Sequence, residues 1–219
     1  MSSILRKSLH PLLAAALFGS VSLSHGAVIT FDTLVSGATS FAYDGDGDSI
    51  TDVLFSTTDL SGFNTVGPGP NMSYIREPGI EGTTLLSPDL KVNFFNGAVG
   101  TLGFGFAMSS GVGGPPVSMT FSVFDVLNNL LGSVIVDADF TDPPGASTES
   151  SFPEALVSIG FGGVASYATF DFNSTLASRY IIDDFSGTFG STERVPEPAT
   201  LALVGIAFAG LMSSRRRSK

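Results

Sequence analysis

The stretch Val117–Phe124 alternates without a break: Val117, Met119, Phe121 and Val123 fall on one face, and Ser118, Thr120 and Ser122 on the other. A period of two fits an extended strand with one buried and one solvated face. The strand expected here runs Val117–Val126, and similar short segments recur along the chain between clusters of Gly, Pro, Asn and Asp. They are Val28–Phe31, Asp52–Thr57, Met72–Ile75, Thr83–Leu86, Lys91–Phe95, Thr101–Met108, Gly132–Asp137, Ala155–Phe161, Ser166–Phe172 and Tyr180–Phe189. Asn128-Asn129 reads as a hairpin connection, with Gly132 helping the return. Between the two ends of the chain no segment keeps a helical period over ten residues, and no fixed-period repeat points to a propeller or solenoid. The expectation is an all-β fold: a single jelly-roll-like β-sandwich over 28–190, with Gly111–Pro116 and Thr141–Ser151 as loops.

The two ends depart from this pattern. Arg6 and Lys7 precede an apolar run, Leu9–Leu23, followed by the small residues Ser24-His25-Gly26-Ala27. That is the charge, apolar, small order of a cleaved secretory signal peptide, here 1–27, with cleavage after Gly26 or Ala27. At the other end a linker, 191–198, closes on Val195-Pro196-Glu197-Pro198, and Ala199–Met212 is apolar before Arg215-Arg216-Arg217. Those fourteen apolar residues make a helix of about 21 Å against a hydrocarbon core of about 30 Å, a marginal span. The arginines and Lys219 keep the tail of this 199–219 segment cytoplasmic, and everything before Pro196 then lies outside. Pro196 and Pro198 hold the preceding chain extended and stop the helix from growing backwards.

Short motif, hydrophobic stretch and basic tail, in that order, resemble the PEP-CTERM sorting signal of Gram-negative bacteria. The resemblance covers about the last tenth of the chain. It implies an exosortase substrate that is exported, held transiently in the inner membrane as a precursor, and then processed to the cell surface or extracellular matrix. An ordinary C-terminal membrane anchor is the alternative reading.

Charge and composition narrow the chemistry. From Val28 to Val195 four basic residues (Arg76, Lys91, Arg179, Arg194) stand against nineteen of the chain's twenty acids, a net charge of −15 against −10 for the whole chain. Such a surface favours cations and repels nucleic acid, so no nucleic-acid partner is expected. His10 and His25 belong to the expected signal peptide, and the chain has no cysteine. Ser-His-Asp and Cys-His catalysis, histidine or thiolate zinc sites and disulfides are therefore unavailable to the mature chain. An exported domain without disulfides relies on its core or on bound metal.

One segment concentrates chemistry. Tyr43-Asp44-Gly45-Asp46-Gly47-Asp48-Ser49-Ile50-Thr51-Asp52 carries carboxylates at loop positions one, three, five and nine. Acids this close repel one another unless a counter-ion relieves them, and calcium, a hard cation that takes six to eight oxygens, does so. The ligands would be Asp44, Asp46, Asp48, the Ile50 carbonyl and Asp52, with Gly45 and Gly47 letting the chain curl. The segment resembles the calcium loops of dockerins and of FG-GAP repeats, and the strand that follows favours the second comparison. Ser49 and Phe55 depart from the Gly and Glu of an EF-hand. A solvated acidic turn is the alternative.

Phe31-Asp32 and Ile181-Ile182-Asp183-Asp184-Phe185 resemble the paired ends of bacterial jelly-roll modules, which implies a second calcium set of Asp32, Asp183 and Asp184; an exposed turn or strand edge is the alternative.

Among functions, a glycoside hydrolase could run on two carboxylates alone, and Asp137, Asp139, Glu149, Glu154, Asp171, Asp183 and Asp184 are the formal candidates. Nothing in their spacing selects a pair. A carbohydrate-binding module for exopolysaccharide would stack sugar on exposed Trp or Tyr, and the chain has no Trp and only Tyr43, Tyr74, Tyr167 and Tyr180. The favoured expectation is a non-catalytic, calcium-stabilised surface or matrix protein with an adhesive or structural role.

Overall fold

The computed structural model describes residues 24–67, 69, 71–76, 78–82, 89–109, 117–141, 152–174 and 179–190. The expected signal peptide up to Leu23, the strand Thr83–Leu86, the loop Gly111–Pro116, the linker, the PEP motif and the sorting helix with Arg215, Arg216 and Arg217 lie outside the described residues. Within them no helix is long and apolar enough to cross a membrane, and all regular structure is strand.

Among the described residues nine strands form one antiparallel sheet: β1 (Ser24–Ile29), β2 (Ser40–Tyr43), β3 (Val53–Thr57), β4 (Ile80–Gly82), β5 (Leu90–Met108), β6 (Val117–Phe124), β7 (Leu130–Ala138), β8 (Glu154–Asn173) and β9 (Tyr180–Gly190). The main path is β1-β9-β5-β8-β6-β7; β3 also pairs with β5, β2 with β3, and β4 with β9. The alternation in β6 becomes strict alternation of buried and half-buried side chains. β1 begins at Ser24, ahead of either expected cleavage bond.

Two strands differ from the sequence reading in a way that makes the fold. Lys91–Phe95 and Thr101–Met108 are halves of the 19-residue β5, and Ala155–Phe161 and Ser166–Phe172 are halves of the 20-residue β8. Leu90 pairs with Phe170 and Phe104 with Val157, so Phe104 and Phe170 sit fourteen positions apart along the ribbon. A straight ribbon would hold them about 46 Å apart. Their rings are instead 5.1 Å apart, centroid to centroid. The β5–β8 ribbon therefore doubles over, and the crease lies where its register slips, between Asn93 and Gly100. Gly97 and Gly100 have φ of 81° and 80° there, and Gly163 on β8 has 87°. A Cβ on Gly97 would meet Val164 Cγ1 at 2.4 Å, so glycine is required.

Phenylalanine fills the space inside the crease. Phe185 of β9 lies 5.1 Å from Phe55, 5.6 Å from Phe104 and 6.3 Å from Phe121, joining rings from four strands. Each such pair adds about 0.5–1.5 kcal/mol beyond the area it buries. Further phenylalanines, Tyr180 and apolar side chains including Val53, Leu90, Val92, Leu102, Met119, Val123 and Ile182 complete the interior.

Met72–Ile75 is not a strand: its segment belongs to a connection, 58–79, that crosses from β3 to β4 and among its described residues makes one bridge, Asn64 to Glu81. β2 and β4 were not anticipated; both are short and neither has a long alternating pattern.

Candidate functional site: the acidic hairpin and the buried acids

Tyr43 pairs with Val53, so residues 44–52 are the connection of the β2–β3 hairpin. The loop is wound by its own aspartates. Asp44 accepts from Gly47 N (2.7 Å) and Ser49 N (2.8 Å), Asp46 from Asp48 N (3.1 Å), and Asp48 from Ile50 N (2.7 Å). Burial pushes the Asp44 carboxyl up, but the N–H groups of Ser49 and Gly47, with contributions from Asp46 and Asp48, outweigh it and hold the group below its ordinary value.

The winding gathers Asp44, Asp46 and Asp48, each offering a carboxylate oxygen within 4.8 Å of the others, and among the described residues no other group of three acids meets that condition. Gly47 has φ of 76°, and Ser49, where an EF-hand has Gly, has φ of 69°. The turn therefore takes the left-handed backbone that glycine usually supplies at this position.

Asp52 is placed differently. It is buried, accepts from Gly45 N (2.9 Å) and from Asn96 Nδ2 (3.0 Å), and so ties the base of the loop to the crease of β5. Ile50 presents its side chain to solvent and its N–H to Asp48.

The second expected set is not gathered in this way. Asp32 is exposed and accepts from Thr30 Oγ1 (2.7 Å), and Asp184 is half-buried in a bulge of β9 with φ of 50°. Asp183 is buried and accepts from Arg76 N (2.8 Å) and Asp184 N (2.7 Å). Burial pushes its carboxyl up to about 7, against those two N–H groups and with added repulsion from Asp184 and Asp32.

Asp183 belongs to a series that sequence reasoning missed. Four buried acids each capture backbone N–H groups of the connection 58–76. Asp89 takes Thr58 N (3.3 Å), Glu81 takes Gly67 N (3.0 Å), Glu154 takes Ser73 N (2.7 Å) and Tyr74 N (2.8 Å), and Asp183 takes Arg76 N. Glu81 is also paired with Arg179, whose Nη2 reaches Gly67 O (3.1 Å). Asp89 receives the Tyr180 hydroxyl (3.1 Å), which burial and the neighbouring carboxylate keep protonated. The acids are buried, and they satisfy N–H groups of an irregular connection whose described residues are mostly exposed or half-buried and that has no ladder of its own. No local spacing marks them, because every N–H they take from the connection, except that of Gly67, is more than thirty positions away. Two of the formal hydrolase candidates, Glu154 and Asp183, are thereby occupied. Asp137 and Asp171 lie on β7 and β8, Asp139 accepts from Phe140 N, and Glu149 lies outside the described residues.

The domain's last described residue, Gly190, leads directly into the tail, and there the sequence matches the family model of the PEP-CTERM protein-sorting motif over residues 194–217. The chain carries a PEP-CTERM sorting signal. Pro196, Glu197, Pro198 and the three arginines all fall inside the match. The signal marks a secreted protein sorted through the membrane of a Gram-negative bacterium and implies processing by an exosortase.

No curated protein matches the PEP-CTERM chain. Among solved structures it is distantly similar to the K1 cleaved adhesin domain of Lys-gingipain from Porphyromonas gingivalis W83 (TM-score 0.38, 15% identity, 74% of this chain and 96% of that one). It is also similar to the family 11 carbohydrate-binding module from Clostridium thermocellum in complex with a β-1,3-1,4-mixed-linked tetrasaccharide (0.35, 10%, 79% and 99%). A third likeness is to the enzymatically active domain of bacteriophage CBA120 tailspike protein 4 (0.34, 14%, 72% and 21%), of which the chain spans about a fifth. At these scores the likenesses bear on neither ligand nor activity.

Proposed function

We propose that the mature domain is a non-catalytic, calcium-stabilised β-sandwich, delivered through the PEP-CTERM route to the cell surface or extracellular matrix, with an adhesive or structural role. The doubled-over β5–β8 ribbon, with one aromatic interior, supports the two-layered reading. The observation that carries the metal is the trio Asp44, Asp46 and Asp48 on an exposed hairpin. Three carboxylates with all-oxygen donors suit a hard divalent cation and would more than balance its charge. Asp44, Asp46 and Asp48 would hold it with the Ile50 carbonyl, while Asp52 anchors the loop to Asn96. Calcium would stiffen the hairpin and quench the local repulsion.

The test is thermal melting of the protein with calcium and with chelator. With a Kd of about 10⁻⁴ M and about 10 mM calcium, the gain is about 2.7 kcal/mol. That is a rise of about 5–10 °C for a domain of this size. An unchanged melting temperature removes the metal from the reading.

Exopolysaccharide binding is the second reading, and one observation bears on it. Tyr167 and Phe124 stack outside the core with centroids 4.9 Å apart, and Lys91 Nζ sits 4.2 Å from the Tyr167 ring. β5 and β6 flank β8 on opposite sides, so both faces of Tyr167 are covered and no sugar can stack on it without displacing one of them. Retention on native exopolysaccharide would restore this reading over the structural one.

A further inference from the structure

Ser24 pairs with Gly190. The first and last residues of the sheet are therefore neighbours about 5 Å apart, and the chain leaves both at the same end. One direction leads straight into the apolar run Leu9–Leu23; the other leads through 191–198 to the apolar run Ala199–Met212. Nine steps of extended chain reach at most about 30 Å, so a membrane holding Ala199–Met212 lies within that distance of this end.

This end is also the crease. A Cβ on Gly190 would touch Asn96 O, and Asn96 binds Asp52 at the base of the acidic hairpin. The β6–β7 tip is here as well: Phe124 pairs with Tyr167, and Tyr167 OH donates to Asn128 (3.0 Å). Of thirteen exposed large apolar residues among those described, six belong to these segments: Ile50, Phe95, Val126, Leu127, Leu130 and Val164, between 53% and 79% exposed. The tip that displays Val126 and Leu127 is held in shape by Asp125, which accepts from Leu127 N and Asn129 N, both at 2.8 Å.

The geometry points to the crease end as a lipid-facing surface, seated on the membrane from which the sorting tail emerges. The position of the two departing chains chooses the occupant, and the apolar side chains supply the contact. Asp44, Asp46, Asp48 and Asp125 lie at the same end, so the contact is apolar rather than electrostatic, and anionic lipid repels it unless a divalent cation intervenes.

The chain has no tryptophan, so one introduced indole reports alone. The full chain carrying Leu127→Trp or Phe95→Trp is reconstituted into phosphatidylcholine vesicles, with Leu60→Trp, 96% exposed and outside the crease segments, as the reference. The expected result is blue-shifted emission, quenching by brominated acyl chains and loss of iodide quenching at positions 127 and 95 but not at 60. Adding Val126→Asp and Leu127→Asp to Phe95→Trp should return iodide quenching with the melting temperature held. Iodide access at position 127 equal to that at 60, or failure of the chain to float with vesicles, overturns the inference. So does protection that appears only when the processing enzyme is co-reconstituted, which would assign the surface to a protein.

Discussion

The acidic hairpin and the connection 58–79 solve the same problem with the same side chains and reach opposite results. In the hairpin, aspartates bind N–H groups two to five positions away and stay at the surface. In the connection, the N–H groups of Thr58, Ser73, Tyr74 and Arg76 are taken by acids 31 to 107 positions away, and those acids are buried. Locality decides the chemistry left over. A carboxylate satisfied by its own loop can still face a cation in solution; one clasped between two distant segments is spent on holding them. A net charge of −15 over the domain thus conceals two populations of acid.

The comparison breaks most visibly at Glu81. Replacing it with Ala leaves Arg179 without its counter-charge and Gly67 N without an acceptor, at a cost of about 3–5 kcal/mol. Urea unfolding and a fall in melting temperature of about 6–20 °C would register it. A loss within the range of ordinary surface substitutions would show that the connection is not pinned by its acids.

At the hairpin the same chemistry should cost nothing without metal. Asp46→Asn with Asp48→Asn should abolish the calcium-induced gain of about 2.7 kcal/mol while moving the calcium-free stability by less than about 1 kcal/mol. Paired melts with calcium and chelator separate the two effects. A large calcium-free loss would place these aspartates with the buried population.

Asp183 sharpens the contrast through pH. Unfolded, it ionises near 3.8; folded, it keeps its proton until about 7. Between those values the folded state binds more protons, so this group's contribution is full below about pH 4 and is lost as pH rises to about 7. Asp183→Asn should flatten that part of the stability profile. Asp44, displaced downward, has the opposite sign: the stability it contributes is present above the ordinary carboxylate range and is lost on acidification.

The smallest effect belongs to Ser49. Its φ of 69° is strained for a side chain, and Ser49→Gly should stabilise the calcium-free hairpin by about 0.5–1 kcal/mol. A destabilised variant would mean that the serine side chain matters more than the turn.

What could be read from the residues follows the same division. β6 was legible because one of its faces is core and the other is water, and the acidic hairpin because its bonds are local. The crease falls in the gaps between expected strands, 96–100 and 162–165, since glycines there look like turn signals, whereas Gly97, Gly100 and Gly163 take positive φ within continuous strands that fold over. Met72–Ile75 resembles a strand because Met72 and Ile75 are apolar; both pack in a small second cluster on the paired Ala107 and Ile181, while 72–75 itself is in no strand. Glu154 and Asp89 were invisible as clasps, because nothing near them in the chain names their partners.

The sheet's closing strand also sets a schedule. β9 pairs with β1, β4 and β5, and its partner β1 is the first strand of the domain. A chain that crosses a membrane N-terminus first delivers β1 long before Phe185–Gly190 arrives to receive it. Such long-range pairing is slow to form, on the order of milliseconds to seconds in all-β domains. Three edges therefore wait on one late segment, and the residues emerging directly behind it are those of the sorting motif. Completion of the fold and presentation of the tail to its processing enzyme become nearly simultaneous events, so a chain stalled before residue 185 is an unfinished sheet rather than a smaller domain.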